Sequence, residues 1–128
     1  MYLGLSILIS RINLAKAQRI DSFKIMNTTV NFAFVNKLEK LGIIRGFELE
    51  YDKLWVYMKY VNKRVPFTHI DLVSRPGRVL TVQTQRLKQV ADKNGSSIFI
   101  ISTGYGFLTH TECFTLRCNG DVVARIDL

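Results

Sequence analysis

Residues 102–109 read Ser102–Thr103–Gly104–Tyr105–Gly106–Phe107–Leu108–Thr109 and follow the apolar run Ser97–Ile98–Phe99–Ile100–Ile101. Small hydroxyls beside flexible glycines suit contacts to phosphate oxygens and ribose 2′-hydroxyls. Tyr105 offers a ring that can stack on an unpaired base. The same pattern also fits a Gly-rich hairpin whose hydroxyls serve its own backbone. A second segment, Ser74–Arg75–Pro76–Gly77–Arg78, has a Pro–Gly tight turn. It holds Arg75 and Arg78 near its tip, where each guanidinium matches a phosphate with two parallel hydrogen bonds. Ordinary turns use the same residues.

Other chemistries find little support. His69, His110, Cys113 and Cys118 are the soft metal-ligand candidates, and their spacing matches no zinc site. Structural or solvated roles are expected for both histidines, and Cys113 is expected to be a small buried hydrophobe. Asp21, Asp71, Glu112, Asp121 and Asp127 stand singly at turns or element ends. Gly104–Tyr105–Gly106 lacks the lysine and helix start of a phosphate loop. Ser102 has His110 eight residues on, with nothing to orient it as a base. The chain is therefore expected not to be an enzyme, and to use no metal and no cofactor.

Charge is the strongest compositional signal. The 128 residues carry 18 Lys+Arg against 10 Asp+Glu, a net charge of +8. Such an excess attracts polyanions. Seven basic residues face two acids between Arg11 and Arg45, and eight face two between Lys59 and Lys93. Glu48, Glu50 and Asp52 separate these stretches, so a basic face is expected with the first hairpin's acidic side turned away from it. Lys37 and Lys40 read as solvated helix surface. Hydrophobic residues make up 48% and charged residues 22%, a globular balance that argues against global disorder. Two cysteines are too few for a secreted disulfide scaffold. The apolar stretch Tyr2–Ile9 is too short for a membrane span and lacks the flanks of a secretory signal.

The elements that must position these segments follow from periodicity. Leu5, Leu8, Ile9, Ile12 and Ala15 recur at helical spacing, which predicts a helix over 4–18. A short strand is expected at Lys24–Met26. Asn27 or Thr28 can cap a second helix carrying Val30, Phe34, Leu38 and Leu41, and Gly42 stops it. Phe47, Leu49 and Tyr51 then alternate with acids, Asp52–Lys53 turns the chain, and Leu54, Val56, Met58 and Tyr60 alternate again as a hairpin. Polar Asn62–Pro66 reads as a linker. Strands are expected at Ile70–Ser74, Val79–Val82, Ser97–Ser102 and Val122–Ile126, with one short helix at Gln85–Ala91. The fold class is α+β in two small lobes. Residues 1–62 form an α-β-α-β-β lobe, and 63–128 form a mostly β lobe with one short helix that carries the 102–109 loop.

In this order and at this spacing, these segments resemble the bacterial-type family of the eighth protein of the small ribosomal subunit. Residues 102–109 are similar to its Ser–Thr–Ser–x–Gly–hydrophobic–hydrophobic–Thr signature. Gly104 replaces the third hydroxyl residue, and Tyr105 stands where a lysine is common. Ser74–Arg75–Pro76–Gly77 is similar to the family's Ser–basic–Pro–Gly turn, although Val79, Leu80 and Thr81 replace its usual continuation. Arg11–Ile12–Asn13, Leu41–Gly42–Ile43–Ile44–Arg45–Gly46–Phe47 and Asn119–Gly120–Asp121–Val122–Val123 resemble further family segments, so the likeness covers nearly the whole chain.

The resemblance implies a structural protein of the small ribosomal subunit that uses both lobes to bind a helical junction in the central domain of small-subunit rRNA. Assembly with neighbouring ribosomal proteins is implied, as a monomer within the ribosome. Arg11, Lys16, Arg75, Arg78, Arg86 and Lys88 would hold phosphates, with Pro76 and Gly77 shaping the turn. Ser102, Thr103, Gly104, Gly106 and Thr109 would read RNA shape; for the hydroxyl lost at Gly104, either Tyr105 would compensate by stacking or the local RNA would differ. Many Ile, Phe and Asn residues and the divergent signature point to a mitochondrial ribosome, with chloroplast and bacterial cytoplasm as alternatives. Two other classes fit the charge pattern. One is a stand-alone single-strand nucleic-acid module using Tyr105 and Trp55. The other is a membrane-surface or protein-docking domain using the first helix.

Overall fold

The first helix, α1 (Leu3–Gln18), forms because its apolar residues return every three or four positions. Leu5, Leu8, Ile9, Ile12 and Ala15 are all buried, as that spacing predicts. The second helix, α2 (Thr29–Lys40), starts at Thr28, whose hydroxyl accepts from the Asn31 amide at 3.1 Å. Gly42, at φ +77°, follows its last turn. The computed structural model describes residues 3–73, 80–82, 97–118 and 120–128. The chain divides into two compact units, Met1–Phe67 and Thr68–Leu128.

In the first unit β1 (Ser22–Met26), β2 (Ile44–Glu50) and β3 (Lys53–Met58) form an antiparallel sheet in the order β1-β3-β2. The alternation of β3 sends Leu54, Val56 and Met58 to the core, where they join Phe23, Ile25 and the apolar stripes of α1 and α2. Burial of each such side chain stabilises the unit by roughly 1.5–3 kcal/mol. The hairpin departs from expectation at its tip. The turn falls at Tyr51–Asp52, one residue early, with Tyr51 in the left-handed region at φ +57°. Lys53 is already the first residue of β3. Leu49 and Tyr51 keep the apolar alternation, yet both are exposed, and only Phe47 finds an aromatic partner, edge-on to Phe32 at 5.3 Å.

The second unit is built on β8 (Gly120–Asp127), whose Val122, Val123, Ala124 and Ile126 are buried. On it pair β4 (His69–Leu72), β5 (Leu80–Val82) and β6 (Ser97–Thr103), and β7 (Gly106–Thr109) extends the sheet beyond β6. The helix expected at Gln85–Ala91 lies outside the described residues. A different short helix, α3 (His110–Leu116), follows β7 directly, where sequence periodicity assigned no element. Its buried Cys113 packs with Phe99, Ile101 and Val122, as expected of a small hydrophobe. Cys113 and Cys118 are not joined in a disulfide. No helix among the described residues is long and apolar enough to cross a membrane.

Candidate nucleic-acid interface

β6 and β7 turn through Gly104–Tyr105, with Thr103 opposite Gly106. The Thr103 hydroxyl closes the turn from inside. It donates to the Gly106 carbonyl at 3.0 Å and accepts from the Tyr105 amide at 3.1 Å. That clip fixes the loop before any ligand arrives. Outside it, Tyr105 is 76% exposed. A side chain on Gly104 or Gly106 would meet nothing within 4 Å, so the backbone of the tip is open to close approach.

At the base of the hairpin the packing is tight. A Cβ placed on Gly120 would fall well inside van der Waals contact with the Ser102 carbonyl oxygen, and 2.9 Å from the methyl carbons of Ile101 and Thr103. β8 can therefore lie against the start of the loop only because residue 120 has no side chain. Here β6 also shifts register against β8, between Ile100 and Ile101. Such a bulge re-aims a strand end.

Thr109 ends the segment in a different role. It is 4% exposed, and its hydroxyl accepts from the Glu112 amide at 3.2 Å while the Glu112 carboxylate reaches back to the Thr109 amide at 3.4 Å. This capping box starts α3. The next residue, His110, is buried and its Nδ1 accepts from the Phe99 amide at 3.2 Å, which ties α3 to β6. Sequence reasoning missed the positioning roles of Gly120 and Glu112, while His110 has the structural role that was one of its two expectations. The Thr109-x-x-Glu112 spacing was the signal that could have found the helix.

The predicted cations fall into two sets. Arg75, Pro76, Gly77, Arg78, Arg86 and Lys88 lie outside the described residues. Arg11 is exposed on α1 and half-buried Lys16 lies further along the same helix. Arg11 borders a hollow to which Lys24 and Lys53 also contribute, two lysines that sequence reasoning did not single out. Arg125, by contrast, is paired with Asp71 and Asp127, each at 3.2 Å.

The hairpin acids are engaged with aromatic residues. Glu50 accepts from the Trp55 indole, and Glu48 accepts from the Tyr57 hydroxyl at 2.7 Å. That hydrogen bond to a carboxylate is the main reason the Tyr57 phenol is held above its ordinary range, with desolvation adding to it. Lys24 sits 5.1 Å from the centre of the Trp55 ring, and Arg45 5.1 Å from that of Tyr57. Trp55 is therefore half-buried and partnered, not the exposed stacking ring expected of it.

Among the described residues, no group of three or more His, Cys, Asp or Glu side chains is arranged to hold a metal ion. The first unit carries the cations Arg11, Lys24 and Lys53 at its hollow, and the second unit's hairpin carries open backbone and the exposed Tyr105 ring.

Comparison with known proteins agrees with this chemistry. The protein-family model for ribosomal protein S8 matches residues 5–126. The chain is 30% identical to small ribosomal subunit protein uS8 of Syntrophus aciditrophicus over 125 residues, covering 93% of this chain and 92% of the relative. It is 31% identical to uS8 of Geobacter sulfurreducens over 119 residues, covering 89% and 86%. It is 29% identical to small ribosomal subunit protein uS8m of Acanthamoeba castellanii over 104 residues, covering 80% and 82%.

Proposed function

The chain belongs to the ribosomal protein S8 family, structural proteins of the small ribosomal subunit, and from that premise we propose that it binds a helical junction in the central domain of small-subunit rRNA and helps that domain assemble. The observation that carries the proposal is the clipped hairpin. Thr103 spends its hydroxyl on the turn, which holds Tyr105 outward and leaves the Gly104 and Gly106 backbone uncovered. A-form RNA exposes 2′-hydroxyls and irregular bases in a shallow minor groove, and a rigid narrow loop can enter there. Tyr105 stacks on an unpaired base, and Ser102 meets sugar or phosphate. Thr103 and Thr109 act one step back, Thr103 by fixing the loop and Thr109 by anchoring the segment after it.

Arg11, Lys16, Arg75, Arg78, Arg86 and Lys88 supply the phosphate contacts of this reading. The site is non-enzymatic, and the partners are rRNA and neighbouring small-subunit proteins, with one copy of this chain per subunit. A mitochondrial ribosome is the compartment proposed, supported by the likeness to a uS8m protein and by the Ile-, Phe- and Asn-rich composition.

The test is binding of the purified chain to a central-domain rRNA fragment, to a random RNA duplex and to an unrelated single strand at one salt concentration. The proposal expects the rRNA fragment to bind at least tenfold tighter than the others. Equal affinity for the single strand would replace it with the stand-alone single-strand reading, for which the exposed Tyr105 is the supporting feature.

A further inference from the structure

We propose that the hollow between α1, β1 and the start of α2 is a binding site for one ribose-phosphate unit of RNA. Arg11, Lys24 and Lys53 would hold its phosphate and the Asn31 side-chain amide would receive its 2′-hydroxyl. This rests on the RNA-binding reading above and adds a site that the hairpin does not provide.

The hollow has a volume of about 250 Å³ and is bordered by Gly4, Arg11, Lys24, Thr28, Asn31 and Lys53 among others. Gly4 and Arg11 share one face of α1 because they lie two helical turns apart. Lys24 and Lys53 come from neighbouring strands of the sheet. None of the three cations has an anionic partner among the described residues. The hollow also borders the first turn of α2 at Thr28 and Asn31, where the helix dipole favours an anion although the Asn31 backbone amide is already bonded to the Thr28 hydroxyl.

Asn31 is the second and independent sign of a ligand. It is 2% exposed, and its Nδ2 donates to the Met26 carbonyl at 3.0 Å, which fixes the orientation of the amide. Its Oδ1 is buried with no hydrogen-bond partner among the described residues. A buried carbonyl oxygen left unpaired is costly. What it lacks is a donor, so an RNA phosphodiester, which carries no proton, would not satisfy it. A sugar hydroxyl beside that phosphate would. Gly4 borders the hollow beside Asn31, and a Cβ there would lie in ordinary contact, 3.8 Å, with both Asn31 amide atoms. A residue with a side chain would occupy the space the hydroxyl must use.

Two measurements on the full chain test this. The first is the salt dependence of binding to the central-domain rRNA fragment. Changing Lys24→Gln together with Lys53→Gln is expected to lower the slope of log affinity against log salt by up to about one, because the hollow holds one phosphate and each lost phosphate contact removes about one released counterion. Lys40→Gln, an exposed change outside the hollow, leaves the slope in place. An unchanged slope in the double variant, with wild-type rRNA binding intact, overturns the hollow and spares the RNA reading. The second is a nuclear magnetic resonance titration with a 5′-ribonucleotide, its 2′-deoxy counterpart and inorganic phosphate, following the Asn31 side-chain NH2 signals. This reads the hollow even if rRNA binding itself fails. The ribonucleotide is expected to bind about three- to tenfold tighter than the deoxynucleotide, the worth of one hydrogen bond. Gly4→Ala should erase that preference while the phosphate still binds. Equal affinity for the ribo and deoxy forms in the unmodified chain, or for free phosphate, would overturn the assignment of Asn31.

Discussion

Gly120→Ala is the sharpest perturbation of the hairpin that can be made away from its tip. The added methyl meets the Ser102 carbonyl oxygen, which is backbone, and the Ile101 and Thr103 methyl carbons at 2.9 Å. None of these is the free end of a flexible side chain, so β6 and β8 must part by roughly an ångström to restore normal contact. Overpacking of this kind costs about 1–3 kcal/mol. For a unit of this size, a loss of that order lowers the melting temperature by about 5–20 °C. Function falls with it, because the strand that moves carries Ser102 and Thr103. Loss of one or two hydrogen bonds to RNA corresponds to roughly a three- to thirtyfold weaker complex. Thermal melting by circular dichroism and filter binding to the rRNA fragment read the two effects separately. Gly104→Ala is the control. Its methyl meets nothing within 4 Å, so stability should stay within about 0.5 kcal/mol of wild type. A Gly120→Ala protein that melts and binds like the wild type would refute the claim that close strand approach sets the loop.

Thr103→Val removes both bonds of the clip and keeps the shape of the side chain. Stability should drop by under about 1.5 kcal/mol because the bonds are exposed, while the preference for the rRNA fragment over a random duplex falls in competition binding. Equal losses on both RNAs would remove the loop from shape reading. Thr109→Ala should cost about 0.5–2 kcal/mol in urea unfolding through loss of the α3 cap, and a neutral result would dismiss the capping box. Leu54→Ala opens a cavity in the fully buried core of the first unit and should cost about 2–5 kcal/mol in the same assay. The Tyr60 phenol is held above its ordinary value of 10.0 by burial and by the Asp21 carboxylate. A folded value above the unfolded one means stability that is present below pH 10.0 and lost as pH rises through the folded value. The stability gap between wild type and Tyr60→Phe should therefore shrink above that point, and a constant gap would contradict it.

Much of the fold is legible from residue pattern, and the failures have identifiable causes. The α1 stripe, the Thr28 cap and the alternation of β3 all face a core, so local period and final burial agree. Leu49 and Tyr51 misled because alternation says which residues share a face but not whether anything covers that face. α3 was overlooked because seven residues are too few to show a helical period. Its start was encoded in side-chain chemistry at Thr109 and Glu112. In the candidate site, the hydroxyls and glycines were recognisable, but not the division of labour between them. Only the fold reveals that Thr103 bonds its own turn and that Thr109 is buried in a cap. Lys24 and Asn31 are near in sequence but Lys53 is on another strand, and the three carry no motif, so their meeting at one hollow depends on strand pairing and helix placement.

The central claim is that this chain works bound to small-subunit rRNA. Sedimentation of the native protein from a cell or organelle lysate tests it most directly, with ribosomes kept intact and the subunits then separated. The account predicts co-migration with the small subunit, retained through a high-salt wash. Migration as a free small protein under the same conditions would contradict it.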